Sequence, residues 1–462
     1  MKTVKTALVA LAALTLTQLA NSQTTAKDTA KIADQNPFDG MDQTWLNGND
    51  RRDSSIFHIP YFTPEIFVDA NVTYSFANPI DHTVVGSTAL ARDNEMQISQ
   101  LGFGGDLSYL GARARFMTQF GTRDEVVPRN DYSTYRGQYD LVDVYRYISE
   151  AYAGYHFNVM HGINVDGGMF MSYIGLNSYY QPENWEYQAS YTSDNTPWFF
   201  NGIRTQIFPS NFLKIEVWLI NGWQSYGSFN DMPGFGGNIT WCPNENIKLL
   251  TNDYYGSDAA GILARHRFHS DNSLLVRYYH VPKKSNGITQ MAFSLTGDIG
   301  DESGGGVNGF TSGDSAKGPA QYFISAMFYN RMWFAHGKLA WCFGGGIMNN
   351  PGRYLVLAPT GDASLFPNPY NPTQTVGTHP FTENPGDQFK GWDCSTNISW
   401  MPNQSFEFRL EYVYRHSSVP YFAGPGGVTS PTGYTTTPIP AGWTPDLLTH
   451  ENRIIMAILV RF

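Results

Sequence analysis

Glu407, Arg409 and Glu411 stand at alternate positions of one short run, and this row of carboxylate, guanidinium and carboxylate is the most chemically pointed feature of the chain. In an extended segment, alternate side chains point the same way about 7 Å apart, so the row would hold ions and ordered water along one face. It aims no nucleophile and no general base at a common atom. The sequence holds no His-Glu-x-x-His and no Gly-x-Ser-x-Gly. Gly313-Asp314-Ser315 stands in a glycine-rich stretch without a base beside it. His266 with His269, and His156 with His161, do not fall two apart on one strand face and have no third ligand, so they read as lining or rim residues. The glycines at 304–306 and 344–346 are not followed by Gly-Lys-Ser/Thr; the first set reads as loop, the second as a strand kept slim for curvature or for a neighbour's side chain. Cys242, Cys342 and Cys394 are an odd number without short spacings, which points to free buried thiols, with a single long-range bridge as the alternative. An enzyme, a cofactor and a bound metal are therefore not expected.

What positions such a row is a strand with two unlike faces. Over 405–415, Phe406, Phe408, Leu410, Tyr412 and Tyr414 alternate with Glu407, Arg409, Glu411, Val413 and Arg415, a period of two that no helix would sort. The terminal run 453–462 repeats the pattern, with Ile454, Met456, Ile458, Val460 and Phe462 on one side and Arg453, Ile455, Ala457, Leu459 and Arg461 on the other. About ten tilted residues of this kind cross a hydrocarbon layer. The expected fold is all-β: a transmembrane antiparallel barrel in a bacterial outer membrane, greasy side chains toward lipid and charged ones toward a wet lumen.

Composition agrees. Gly 45, Phe 30, Tyr 28 and Trp 11 accompany only 15% charged residues, a mixture suited to sheet with ring girdles at two interfaces. Residues 1–22 read as a secretory signal peptide: Lys2 and Lys5, an apolar run over 7–20, and Ala20-Asn21-Ser22 before the cleavage point. Without them the chain carries 28 basic against 40 acidic residues, a balance of −12 that disfavours nucleic acid as a partner. Beyond the signal no apolar run is long enough for a membrane helix, so the mature chain would cross as strands. Residues 23–62 lack strand period and read as a flexible leader, leaving 63–462 for the barrel.

Strand-like runs recur from 65 onward. Short turns at Pro209-Ser210-Asn211, Pro243-Asn244-Glu245-Asn246 and Pro402-Asn403-Gln404 join pairs of them. Ile239-Thr240-Trp241-Cys242-Pro243-Asn244 and Ile398-Ser399-Trp400-Met401-Pro402-Asn403 are near repeats that would end two strands in one aromatic belt. Long connections at 175–197, 298–319, 349–391 and 416–450 suit the extracellular rim. Segments number seventeen, whereas such barrels have an even number of strands. The parity fails between 256 and 320, so sixteen strands are expected, with eighteen as the alternative.

The face opposite the apolar one supplies the candidate lumen: Arg113, Arg115, Arg204, Lys214, Glu216, Lys248, Arg265, Arg267, Arg277, Glu407, Arg409, Glu411 and Arg453. Ten of these thirteen are basic. Such a lumen would favour anionic or polar solutes through its field, unless the arginines merely pair with acids of the same interior. The stretches 366–370 and 420–445 hold Pro, Gly and aromatics suited to a plug or a cap.

The chain also resembles the β-barrel porins of the OmpL-like, second bacterial porin type. The resemblance rests on Val165-Asp166-Gly167-Gly168-Met169-Phe170-Met171-Ser172-Tyr173-Ile174-Gly175, on Pro182-Glu183-Asn184-Trp185, on Gly202-Ile203-Arg204, on the run from Arg409 through Tyr412 to Ser417, and on the final Val460-Arg461-Phe462. Where the family carries Gly-Lys-Phe, this chain has Gly168-Met169-Phe170. The resemblance spans 60–462 and implies outer-membrane location, lipid as surroundings, a terminal Phe462 read by the barrel-assembly machinery, and channel function for small polar solutes or ions. A loop-plugged structural or adhesive barrel, and a transporter for apolar ligands, are the alternatives. A homo-oligomer is compatible with this reading and not specified by it.

Overall fold

The computed structural model describes residues 37–462 except 58, 129–130, 132, 134–136, 284–286, 312, 315–316, 353, 356–387 and 435–439. The signal segment 1–22, the start of the leader and the stretch 366–370 lie outside the described residues. The strands are β1 (Phe62–Ser75), β2 (Met96–Tyr109), β3 (Ala112–Thr118), β4 (Ile148–Phe157), β5 (Ile163–Met171), β6 (Phe199–Ser210), β7 (Leu213–Ile220), β8 (Gly234–Asn244) and β9 (Ile247–Gly256). They continue with β10 (His266–His280), β11 (Ile288–Ser303), β12 (Tyr322–Phe334), β13 (Leu339–Asn350), β14 (Phe389–Asn403), β15 (Phe406–Ser417), the short pair β16 (Phe422–Ala423) and β17 (Leu447–Leu448), and β18 (His450–Arg461).

Sixteen of them, β1–β15 and β18, form one closed antiparallel barrel in chain order. Closure is made by β1, which pairs with β2 on one side and with β18 on the other, Val68 opposite Val460 and Val72 opposite Met456. In lipid an open edge would leave its backbone amides and carbonyls without partners, so the last strand must find the first. The three Pro-Asn turns lie on one rim together with Phe462, whose neighbour Arg461 donates its backbone N–H to Ser405 O in the β14–β15 turn. That rim of tight turns is the periplasmic one. Trp241 and Trp400, the ends of the near repeats, both face outward.

The parity problem falls where the sequence put it. The runs 262–269 and 274–281, read as two strands, are the single β10. Ser270-Asp271-Asn272-Ser273 looks like a turn by composition, yet it keeps the strand period: Asp271 and Ser273 are buried inward, and Asn272 is exposed outward. The outward polar groups satisfy one another: Thr251 Oγ1 donates to Asn272 Oδ1 at 2.6 Å, and Asn272 Nδ2 donates to Ser270 Oγ at 3.0 Å. A second difference lies at β2–β3. Their turn is Leu110-Gly111, with φ of 50° and 84°, whereas the alternation in the sequence reads as runs over 97–103 and 107–120 with the turn at 104–106. A tight hairpin needs positive φ at its two central residues, which Gly111 supplies without strain. The thiols are free as expected, with Cys242 and Cys342 buried, but Cys394 faces outward on β14 and is exposed.

The outward faces of β15, β18 and β1 are apolar: Leu410 and Tyr412, Met456 and Ile458, Ile66 and Tyr74. The inward face of β18 is partly apolar too. Ile455, Ala457 and Leu459 pack against Val84, Ala89 and Leu90 of the β1–β2 connection, together with Val413 and Tyr187. That connection therefore folds into the barrel, where each fully buried aliphatic side chain contributes roughly 1.5–3 kcal/mol.

Candidate functional site

All thirteen charged side chains proposed for the lumen are on the inward register of their strands, or adjoin it in the case of Arg265. Nine of them fall into two groups, and the other four sit toward the rims.

The first group lies on β14, β15 and β18 and is sealed. Arg409 and Arg453 are buried to 1% exposure or less, as are Glu407 and Glu411. What covers them is the β5–β6 connection, residues 172–198, which turns into the bore and carries a short helix, Tyr191–Asn195. Glu411 accepts the backbone N–H groups of Tyr187 and Gln188, both at 2.7 Å. Asp393 accepts Tyr191 N–H at 2.9 Å, Ser190 Oγ–H at 3.0 Å and Gly346 N–H at 2.7 Å. Arg409 donates to Asn184 O and Arg331 to Trp185 O, each at 2.7 Å. Arg415 reaches Asp194 at 2.6 Å and donates to Ala189 O and Gly86 O. Arg453 pairs with Glu451 and donates to Gln188 Oε1 and Val85 O. A carboxylate holding two or three backbone N–H groups satisfies the loop's orphan donors and its own lone pairs together, so wall charges and loop amides are buried as one network. Gly346 leaves room for the loop here, because a Cβ would press on Ser190 Oγ. This bears on the slim 344–346 strand read from the sequence: the neighbour it admits is the inward loop.

The second group lies on β3–β7 and stays partly wet. Arg113, at 25% side-chain exposure, and Arg204 share Asp166 at 3.3 and 2.9 Å. Arg115 pairs with Glu150, Asp106 and Glu65 at 2.7, 2.7 and 3.1 Å. Lys214, at 24% exposure, pairs with Glu216 at 2.8 Å, and Gln206 donates to the same carboxylate at 2.7 Å. Toward the extracellular side the Arg204 guanidinium stacks over Phe170 and Tyr152, at 4.5 and 4.8 Å from their centroids. Beyond it Phe170, Tyr173, Phe200, Trp218 and Tyr254 close into one aromatic cluster.

The remaining positions sit near the rims. Arg265 and Arg267 both bind Glu302, and Arg267 lies 3.4 Å from Asp258. Arg277 binds Asp42 at 2.5 Å and Glu245 at 2.9 Å. Lys248 reaches Asn49 Oδ1 at 3.4 Å.

The sequence reading allowed for further inward acids but named none of them. Glu65, Glu150, Asp166, Glu302, Asp393 and Glu451 are as inward as the arginines they hold. The signal was present: on β1, Glu65, Asp69, Asn71 and Thr73 alternate with the apolar row, and on β5, Asn164 and Asp166 do the same. Among its described residues, the stretch 420–445 caps the bore rather than threading it as 172–198 does. Its described part includes Tyr421 and Phe422, which pack with Tyr191, Leu355 and Phe389 over the extracellular mouth.

With the barrel and its interior in view, the comparisons define the class. The sequence matches, over residues 62–332, the family described as "Putative beta-barrel porin-2, OmpL-like". The chain belongs to that family, and it is an outer-membrane porin-type barrel. No curated protein matches it. Solved structures with a similar fold include the outer membrane channel DcaP of Acinetobacter baumannii, at 10% identity and TM-score 0.48, covering 87% of this chain and 97% of that one. The anion-selective porin from Comamonas acidovorans has 12% identity and TM-score 0.48, with 87% and 99% covered. OmpT of Vibrio cholerae in its trimer form has 8% identity and TM-score 0.46, with 87% and 99% covered.

Proposed function

We propose that the chain is a passive channel for small polar solutes or ions, running along the β3–β7 side of the bore and past the aromatic cluster, with little net preference between anions and cations. The observation that carries this reading is the second group of charges. Arg113 and Lys214 remain partly exposed while paired with Asp166 and Glu216, so water reaches a polar wall whose field is largely cancelled at short range. The basic excess in the sequence pointed toward an anion bias, and the inward acids reduce it. A lining of this kind also disfavours apolar ligands, which would gain nothing from displacing water held by ion pairs. Planar-bilayer recording of the purified protein tests the reading. Steady conductance with a reversal potential near zero under a salt gradient is expected. Absence of current would favour the loop-plugged barrel, and a large anion-directed potential would refute the cancelled field. Phe462, facing outward at the periplasmic rim, is the residue we assign to recognition by the assembly machinery; deleting it should lower the assembled fraction without altering conductance of the barrels that form.

A further inference from the structure

Residues 37–57 precede the first strand and belong to no sheet, yet they cross the periplasmic mouth from one wall to the other. At one end Phe38 donates its N–H to Asn211 O in the β6–β7 turn. Trp45 Nε1 then donates to Glu245 O in the β8–β9 turn at 2.9 Å, and Asp42 binds Arg277 of β10. At the far end Arg51 donates to Phe406 O of β15 at 2.9 Å, and Asp50 lies 3.7 Å from Arg461 of β18. Between these ends the chain rises into the bore. Trp45, Leu46 and Asn47 are at most 2% exposed. There they meet the inward loop from below: Asn47 Oδ1 accepts Trp185 N–H at 2.9 Å, Trp185 Nε1 donates to Trp45 O at 2.9 Å, and Gly48 N–H donates to Glu183 O at 3.1 Å. Gly48 has a φ of +76°, and a Cβ on it would overlap Leu176 O, so this approach is built around a glycine. The expectation of a flexible leader over 23–62 thus meets a different finding in this stretch. A polar sequence without strand period can still be held when wall charges and turn carbonyls supply its partners.

From this geometry we infer that residues 37–57 are a detachable plug for the periplasmic mouth, a second closure stacked beneath the loop 172–198. The segment is held by side-chain pairs and isolated hydrogen bonds, while every barrel strand is held by ladders on both edges; such a segment opens locally at far lower cost than the wall. Its footprint joins the walls on both sides of the charged β3–β7 face, so its departure widens the route without disturbing a strand. The inference rests on the channel reading above.

The test is single-channel recording of the full chain and of a variant lacking residues 37–57, each shown to be folded by heat-dependent gel mobility. The variant is expected to conduct about twofold more or better, because the mouth is no longer spanned. A synthetic peptide of residues 37–57 should close it from the periplasmic side and not from the other. Equal conductance of the two proteins, or a peptide acting alike from both sides, would overturn the plug. Should the deletion fail to assemble, Gly48→Val and Trp45→Ala in the intact chain are read instead; larger or flickering conductance is expected, and wild-type currents from both would overturn the inference. If the full chain conducts and the variants do not differ from it, only the plug falls. If neither the full chain nor any variant conducts, the channel reading falls with it.

Discussion

Arg409 on β15 and Arg204 on β6 are the same residue type in the same strand period, both inward and both beside a carboxylate, yet they do different work. Arg409 is sealed, bonded to Glu407 at 2.8 Å and to Asn184 O of the inward loop at 2.7 Å. Arg204 keeps contact with the partly wet face, sharing Asp166 with Arg113. The difference teaches that an inward charge is not by itself a pore lining. On one side of the bore the charges are the docking surface of a loop; on the other they border water. A buried ion pair that also holds backbone amides gives the loop one seat, because any other placement strands charges in a dry interior.

The comparison can be broken most severely at Glu411. Glu411→Ala removes the acceptor for Tyr187 and Gln188 N–H and leaves Arg409 with one carboxylate fewer nearby, so the loop's docking should weaken by about 3–5 kcal/mol. Hydrogen exchange at those two amides should accelerate by orders of magnitude while β15 itself stays protected. Unchanged exchange would mean that the loop is held from elsewhere.

A smaller effect separates the two sides by selectivity. Lys214→Glu should move the reversal potential toward cation preference, by about a twofold change in permeability ratio, since its ammonium reaches water. Arg409→Glu should lower the folded yield and leave the ratio in the surviving channels unchanged. The opposite pattern would exchange the roles assigned to the two faces.

The smallest effect lies at the extracellular rim. Burial pushes the Asp81 carboxyl up, but hydrogen bonds from Val428 N–H, Thr429 N–H and Oγ–H, and Thr83 N–H outweigh it, so its pKa is held below the usual carboxylate range. A depressed pKa contributes stability that is present above the ordinary value and is lost as pH falls through the lowered one. The clasp between residues 77–95 and 418–449 should therefore hold at neutral pH and loosen only in distinctly acid solution. Asp81→Asn should cost about 1–2 kcal/mol and make protease cleavage near 428 faster at pH 7, with little further change on acidification.

Much of this was legible in the chain itself. Period-two alternation on 405–415 and 453–462 set the membrane-facing and inward sides of β15 and β18, because lipid and water impose opposite demands on neighbouring residues. The Pro-Asn turns set the periplasmic rim. Sixteen strands were rightly expected from parity, but the count of segments was one too high because Ser270-Asp271-Asn272-Ser273 carries turn-like residues on both faces, a composition tolerated where the inner face is polar and the outer groups bond to one another. The inward course of 172–198 was not legible. Its partners lie far off in the chain, more than 200 residues away for Tyr187 with Glu411 and Tyr191 with Asp393, and no local period announces a contact of that range. Residues 37–57 were obscured for the same reason: polarity alone does not distinguish a solvated leader from one whose polar groups are bound by a distant wall.

The division of the bore is tested most directly by thiol modification during single-channel recording. With a charged methanethiosulfonate reagent added from the periplasmic side, channels carrying Lys214→Cys should lose current as the thiol reacts. Those carrying Arg453→Cys, behind Gln188 and Val85, should show none of this, as should the wild type with its two buried thiols and Cys394 facing outward. Current lost through Arg453→Cys and unaffected through Lys214→Cys would contradict the account.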